Sequence, residues 1–284
     1  MEILNLNKSN DEIIKLLQRD KPFSIVRLGS CETKITIEYL KTKKINPKFI
    51  SNNNGIYSKT KDKNKFEIFC ISHNEAIKNS DLLASFINLN FIKPYQDFFA
   101  KKYNLTQINS RSLEPFYQLQ EDIKPWTHYL YGKKVLIINP FVDSFQKQIN
   151  NGFQIFKDKK VFLDGQEFVF YKSYQTIAGN HIHNDWLETF TIMCNDIKKL
   201  DFDIALLGCG GYGLPLCNFI KTKLNKSAIY IGGGLQLLFG VMGKRWENRE
   251  MWKKIIKEND TKFIRPSGDE RCKNLSSIEQ GCYW

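Results

Sequence analysis

The second half of the chain alternates between short apolar runs and amphipathic stretches, and this alternation constrains the fold more than any other feature. Apolar, β-branched runs at 168–172, 203–208 and 227–233 are typical of buried strands, and the stretches at 185–200 and 214–224 have the length and apolar spacing of helices. Strands that alternate with such helices form βαβ units. The sequence therefore predicts an α/β fold, with a Rossmann-like parallel sheet and helices on both faces.

The first half contains one clear strand. The run FSIVRL at 23–28 stands between a predicted helix at 10–20 and a second at 32–40. A strand that ends in a tight turn and continues as a helix places residues 27–32 at the carboxyl end of the sheet. In open α/β folds, ligands bind at that end.

The remaining segments determine the predicted domain organisation. Residues 52–65 are polar and rich in turn-forming residues, which predicts an exposed loop, and residues 66–110 look mostly helical. A strand at 133–141 follows an irregular connection that contains two prolines. We therefore expect an N-terminal α/β lobe at 1–130 and a Rossmann-like nucleotide-binding lobe at 131–284, or one continuous domain.

Net charge and the lack of long apolar runs limit the function classes. The 284 residues include 42 Lys and Arg against 30 Asp and Glu, a net charge of +12, which favours anionic partners. Most of the excess is lysine spread along the chain without a nucleic-acid-binding motif, so we do not expect nucleic acid as a partner. No apolar run reaches the roughly 20 residues of a transmembrane helix, and the first residues do not resemble a signal peptide. We expect a cytoplasmic protein, and the oligomeric state stays open.

A glycine-rich turn follows one of the predicted strands. Its spacing, Gly208-x-Gly210-x-x-Gly213 with Gly211 and Tyr212 inside it, resembles the fingerprint that holds phosphates at a helix start. The acidic residue that binds the ribose in NAD enzymes is missing after the next strand. The turn therefore indicates either phosphate binding or close packing of strand and helix. An NAD(P)-dependent oxidoreductase remains an alternative function.

A second glycine-rich turn ends the last predicted strand. Three adjacent glycines, which include Gly233 and Gly234, would let a ligand approach the main chain. Gln236 adds a neutral hydrogen-bonding group, and Lys244 and Arg245 add cations that suit phosphate oxygens. The alternative is that the two cations stabilise the end of a helix.

The strand end at 26–32 combines an arginine, a tight turn, a hydroxyl and a carboxylate. These residues are Arg27, Gly29, Ser30 and Glu32. The carboxylate of Glu32 could bind a divalent cation, position a sugar hydroxyl or act as a general base. It could also start a helix and interact with the helix dipole. Spacing alone leaves these alternatives open.

Asp185 is a second acidic candidate. With His181 and His183 it resembles the start of a binuclear metal motif, but the final histidine of that motif is absent. Asp185 therefore either opens the helix predicted at 185–200 or faces the ligand-binding cleft.

The strand end at 26–32, VRLGSCE, resembles the R-x-G-D-G-E signature of the GT-D-type glycosyltransferases. Arg27, Gly29 and Glu32 match that signature, whereas Ser30 replaces the aspartate of its D-x-E motif. From about residue 133 to 284 the chain is similar to uncharacterised bacterial and large-DNA-virus proteins. The two resemblances together cover both halves of the chain.

The GT-D resemblance implies a glycosyltransferase that moves a sugar from a nucleotide sugar, usually a UDP-sugar, to a glycan or protein-linked glycan acceptor. It implies that Glu32 handles the donor's diphosphate, with or without Mn²⁺ or Mg²⁺. Since Ser30 leaves one carboxylate instead of two, Arg27, Lys244 and Arg245 could neutralise the diphosphate in place of a cation. If the transfer inverts the anomeric centre, Glu32 is the first choice for the base that deprotonates the acceptor, and Asp185 is the second; the sequence does not distinguish inversion from retention.

Two alternatives to this function stay open. The glycine fingerprint favours the NAD(P)-dependent oxidoreductase. The positive charge favours a non-catalytic protein that binds acidic glycans or nucleic acid. The glycine-rich strand ends indicate a small phosphorylated ligand rather than a broad polyanion.

Overall fold

The computed structural model describes residues 2–46, 54–278 and 280–284. The strands are β1 (Ser24–Arg27), β2 (Leu82–Ser85), β3 (Thr106–Asn109), β4 (Lys134–Asn139), β5 (Glu167–Lys172), β6 (Ile204–Leu207) and β7 (Ser227–Tyr230). The helices are α1 (Leu6–Leu17), α2 (Ser30–Thr42), α3 (Lys63–Lys78), α4 (Lys93–Tyr103), α5 (Phe116–Gln120), α6 (Val142–Asn150), α7 (Trp186–Ile197), α8 (Gly213–Lys223), α9 (Leu235–Leu238), α10 (Lys244–Glu247) and α11 (Glu250–Asn259).

All seven strands form one sheet in the order β3-β2-β1-β7-β6-β4-β5, and every neighbouring pair is parallel. This confirms the predicted α/β fold. The strands before residue 130 join those after it where Ile25 of β1 pairs with Ile229 of β7. The two predicted lobes thus contribute to a single sheet, and the boundary between them remains a prediction.

Alternate side chains of the central strands are buried on opposite faces of the sheet. In β4, Val135 and Ile137 belong to one hydrophobic cluster, whereas Leu136 and Ile138 belong to the other. Because both faces are covered, these strands are continuous apolar runs instead of alternating ones. The cluster that contains Leu136 includes buried residues of helices α2, α3, α4, α7 and α8. The cluster that contains Val135 includes buried residues of α1, α5, α6, α9, α10 and α11.

Two expectations for the first half were correct only in part. The segment 66–110 contains strands β2 and β3 as well as helices; these strands have only four residues each, and β3 has the polar sequence TQIN, so neither shows strand periodicity. In the predicted exposed loop at 52–65, residues 54–57 are buried. Residues 52 and 53 lie outside the described part of the chain.

The parallel direction brings the carboxyl ends of the strands to one edge of the sheet. From β1 the chain continues to β2 and β3 on one side, whereas β7, on the other side of β1, is reached through β4 to β6. Such a change of direction opens a crevice between the two strands, here β1 and β7. Within the described residues, no helix is long and apolar enough to cross a membrane.

Candidate functional site

A cleft of about 830 Å³ lies at this carboxyl edge. Its walls come from the segments that follow all seven strands, together with Asn54, residues near α10 and the segment at 283–284. The volume is in the range of small-molecule sites, which are about 300–1,000 Å³. The cleft is therefore large enough for a nucleotide-sized ligand.

The cleft brings together most of the residues that the sequence analysis selected. The selected residues that line it are Arg27, Gly29, Ser30, Glu32, Gly208, Gly210, Tyr212, Gly233, Gly234, Gln236 and Arg245. The selected residues that do not line it are Asp185, Gly211, Gly213 and Lys244.

Asp185 lies outside the cleft and caps helix α7. Its side chain accepts a hydrogen bond of 3.0 Å from the backbone N–H of Glu188 and forms an ion pair of 3.1 Å with Lys65. Of the two roles predicted for Asp185, the structure shows the helix start. Lys244 also lies outside the cleft, in the short helix α10, and is exposed.

Part of the glycine fingerprint is used for packing within the chain. A Cβ atom at Gly211 would lie 2.7 Å from the carbonyl oxygen of Asn54, and one at Gly213 would collide with the ring of Tyr230. The first turn of α8 is buried and contains Pro215, which has no N–H to donate. The helix start therefore offers few donors to a phosphate, and Gly208 and Gly210 are the fingerprint glycines that reach the cleft.

Two of the selected polar side chains use their hydrogen bonds within the fold. The Tyr212 hydroxyl lies 2.9 Å from Oγ1 of Thr176 and donates to the carbonyl oxygen of Gly55 at 3.2 Å. The Gln236 amide donates to the carbonyl oxygens of Val241 at 3.3 Å and Tyr283 at 3.2 Å. Both residues are buried and hold the cleft wall in place.

The three adjacent glycines Gly232–Gly234 make room for three side chains of the protein itself. A Cβ atom at the first would collide with the guanidinium of Arg27, and one at the third would collide with the carboxylate of Glu114. At the second it would lie 2.6 Å from the ring of Tyr283. The glycines are thus required for close side-chain packing around the crevice.

A nearly buried ion pair joins the end of β1 to the connection after β3. Nη1 of Arg27 lies 3.0 Å from Oε1 of Glu114, and their side chains are only 12% and 14% exposed. The guanidinium also lies over the ring of Phe86, 5.3 Å from its centroid. Burial raises the pKa of Glu114, while the nearby arginines, Arg27 first, oppose that shift. Glu114 was not among the predicted site residues, because no local pattern links it to a partner 87 residues away.

Among the described residues that line the cleft, all the basic side chains other than histidine are arginines. The chain has 35 lysines and seven arginines, yet four arginines and no lysine line this part of the structure. The guanidinium group can donate two parallel hydrogen bonds to a phosphate or carboxylate, which an ammonium group cannot do in the same fixed geometry. Two carboxylates, Glu32 and Glu114, accompany the arginines Arg27, Arg111, Arg245 and Arg249.

Arg111 and Arg249 were not predicted from the sequence. Their side chains are exposed, and each contacts another residue of the cleft wall. Arg111 lies over the ring of Tyr117, 5.0 Å from its centroid. Nε of Arg249 donates to the carbonyl oxygen of Arg245 at 3.0 Å. Arg245 in turn donates to the Tyr283 hydroxyl at 3.0 Å. The signal that could have identified Arg111 and Arg249 is their residue type, since arginine is rare in this lysine-rich chain.

Glu32 lies in the first turn of α2 and folds back against Gly29. A Cβ atom at Gly29 would collide with the Glu32 carboxylate, so the glycine of the turn makes room for it. Glu32 is half-buried, and burial raises the pKa of its carboxyl group. Both roles predicted for Glu32, a helix start and a cleft carboxylate, are compatible with this position.

The carboxylates do not fit a cation held by the protein alone. Glu114 is engaged by Arg27, and in the described ranges no three His, Cys, Asp or Glu side chains are grouped as metal ligands. A divalent cation normally takes six or more oxygen ligands. We therefore assign no step to a resident metal ion.

The parallel sheet and the cleft at the β1–β7 crevice define the class of the protein, a Rossmann-like α/β protein with a cleft large enough for a small molecule. The chain belongs to the GT-D-like family, whose model, described as a GT-D fold-like domain, matches residues 4–238. This confirms the resemblance inferred from the strand end at 26–32 and supports the predicted enzyme class, a glycosyltransferase.

One solved structure shows the same fold at low sequence identity. A selenomethionine form of domain of unknown function 1792 has a TM-score of 0.53 and 12% identity, covering 95% of this chain and 92% of that one. A structure described as a new glycosyltransferase from Streptococcus sanguinis has a TM-score of 0.49 and 11% identity, covering 95% of this chain and 96% of that one. A comparison with curated proteins finds no match.

Proposed function

We propose that this protein transfers a sugar from a nucleotide-sugar donor, most simply a UDP-sugar, to a glycan or protein-linked glycan acceptor. The observation that carries the proposal is the arginine-rich cleft at the β1–β7 crevice of a GT-D-like chain. A nucleoside diphosphate carries its charge on closely spaced phosphate oxygens, which suit arginine donors.

The arginines stabilise the leaving group in this mechanism. As the bond between the anomeric carbon and the diphosphate breaks, negative charge develops on the departing nucleoside diphosphate, and fixed cations nearby lower the energy of that state. Arg245 and Arg249 extend from the α10–α11 region on one wall of the cleft. Arg27 contributes less net charge because Glu114 neutralises it in the free protein.

Glu32 is the base of the proposed reaction. Burial raises the pKa of its carboxyl group, and a higher pKa makes the carboxylate a stronger base toward an acceptor hydroxyl. Asp185 is not retained in this role, because it caps α7 outside the cleft.

The donor class can be tested by thermal unfolding with UDP, GDP, CMP, several of their sugars, and NAD, each with and without Mn²⁺. A ligand that binds only the folded protein raises the unfolding temperature. We expect one nucleotide family to stabilise the protein in the absence of Mn²⁺, and Arg245→Ala to reduce that effect. The surface variant Arg19→Ala is the matched control, since Arg19 pairs with Asp81 and does not line the cleft.

The same measurement separates the other functions. Stabilisation by NAD alone would replace the transferase with the oxidoreductase. A response only to polyanions, decreasing steeply with salt, would indicate a binding protein without nucleotide-sugar chemistry. Strict dependence on Mn²⁺ would show that the arginines do not replace a cation.

A further inference from the structure

The loop between β2 and α4 carries an exposed apolar surface at the edge of the cleft. Its large side chains Ile87, Leu89 and Phe91 are 50%, 36% and 58% exposed, and all three line the cleft. Single exposed apolar residues are common, but a group of three beside a ligand site indicates a surface that becomes covered. We call these three residues the apolar lip.

The apolar lip lies on the side of β1 away from the glycine turns. In the sheet, Arg27 of β1 pairs with Ala84 of β2, and Ser85 of β2 pairs with Asn109 of β3. The loop that follows β2 and contains the lip therefore begins beside the connection that follows β3 and contains Arg111. The turns after β6 and β7 lie beyond β1 on the opposite side.

Arg111 places a cation on the same side of the cleft as this apolar surface. Its backbone is fixed by a 3.0 Å hydrogen bond from its N–H to Oδ1 of Asn109, while its side chain is exposed and lies over the ring of Tyr117. This side of the cleft thus combines three apolar side chains with the exposed guanidinium of Arg111, while Arg27, over the ring of Phe86, is paired with Glu114. A ligand complementary to both has an anionic group directly attached to a hydrocarbon chain.

We propose that the acceptor is a lipid-linked glycan, with its hydrocarbon chain on the apolar lip and its linking phosphate on Arg111. This inference rests on the proposed glycosyltransferase function and names its acceptor class. The acceptor hydroxyl oxygen forms the new bond to the anomeric carbon, and the bond from that carbon to the diphosphate breaks. The nucleoside diphosphate leaves with the electron pair, and the hydroxyl proton passes to Glu32.

Transfer to two matched acceptors tests the proposal. Both carry the same sugar and the same phosphodiester, but one ends in a farnesyl chain and the other in a methyl group. We expect a KM about tenfold or more lower for the farnesyl acceptor, since burying a large apolar side chain or an equivalent chain segment contributes about 1.5–3 kcal/mol. The double variant Ile87→Ser/Phe91→Ser should abolish this preference and leave the KM for the methyl acceptor unchanged.

The control is the double variant Ile68→Ser/Ile71→Ser. These residues lie in α3, are 40% and 50% exposed, and do not line the cleft. The control should retain the preference for the farnesyl chain. Equal KM values for the two acceptors in the unmodified protein would overturn the proposal, and so would a lip variant that weakens stabilisation by the nucleotide, because the lip would then cover the donor.

A binding measurement tests the lipid site without requiring sugar transfer. Calorimetric titration with farnesyl phosphate should show binding that the lip variant loses, and Arg111→Ala should weaken it about tenfold while leaving the response to uncharged farnesol unchanged. Binding of farnesyl phosphate without transfer from any nucleotide sugar would contradict the proposed function and retain the lipid site. Transfer to methyl acceptors with no binding of farnesyl phosphate would retain the function and overturn the lipid site.

Discussion

The two ends of the cleft are built in different ways. At the glycine end, formed by the turns after β6 and β7, the glycines are packed against Arg27, Glu114, Tyr230 and other groups of the chain. At the other end, the apolar lip and Arg111 have exposed side chains. Internal contacts thus pre-organise the glycine end, whereas the side chains of the other end are exposed and can contact a ligand. This difference favours a fixed donor site beside an acceptor site that gains its contacts on binding.

The largest effect is expected from Glu32→Gln. The amide keeps the size of the side chain but cannot accept the acceptor's proton, so turnover should decrease about 10²- to 10⁴-fold. Donor binding should change little, because the arginines remain in place. Steady-state transfer, together with thermal shifts by the nucleotide, measures both quantities. Full turnover in this variant would remove Glu32 from the base role.

Glu114→Ala tests the pre-organised end. Removing the carboxylate leaves the Arg27 guanidinium nearly buried without its partner, which typically costs about 3–5 kcal/mol of unfolding free energy. Urea unfolding measures the loss. The matched control is Glu247→Gln, which breaks an ion pair with Arg265 at the surface, outside the cleft, where about 0–1 kcal/mol is typical. Similar losses in both variants would contradict a special role for the Arg27–Glu114 pair.

The periodic segments of the chain were predictable from sequence, and the irregular connection that reaches the cleft was not. The alternating runs of the second half predicted strands β4 to β7, and the strand end at 26–32 correctly placed Arg27 and Glu32 at the carboxyl edge. Glu114 and Arg111 lie in an irregular connection without periodicity. Their position at the cleft depends on the pairing of β3 with β2, which no local pattern indicated.

The glycine turns show a second limit. Sequence spacing indicated glycines that approach a ligand, but it could not distinguish a ligand from the protein's own side chains. In the structure, Gly211 packs on Asn54 and Gly213 on Tyr230. Both partners are far from these glycines in sequence, and Asn54 lies in a segment that the sequence predicted to be exposed.

Gly232→Ala separates crowding from backbone strain at the glycine end. Gly232 has a φ of +73°, and a Cβ atom there would also collide with Arg27. We expect a loss of about 2–4 kcal/mol in unfolding free energy, from strain and overpacking together. Gly132→Ala is the control, since its φ of +81° gives similar strain while no atom lies within 4 Å of the added Cβ. Equal losses in the two variants would mean that packing against Arg27 contributes nothing.

The smallest expected effect is the pH dependence of stability at Glu32. Burial raises the pKa of this carboxyl group in the folded protein above the ordinary value of 4.5. The neutral form is therefore favoured by folding, and its contribution to stability is present below pH 4.5 and lost as the pH rises through the folded-state pKa. Glu32→Gln, which stays neutral, should have a higher unfolding temperature than the unmodified protein at pH 7, and the difference should decrease toward pH 4. A variant less stable than the unmodified protein at pH 7 would show that favourable contacts hold the charged carboxylate. The turn between β1 and α2 would then be adapted to a charged Glu32.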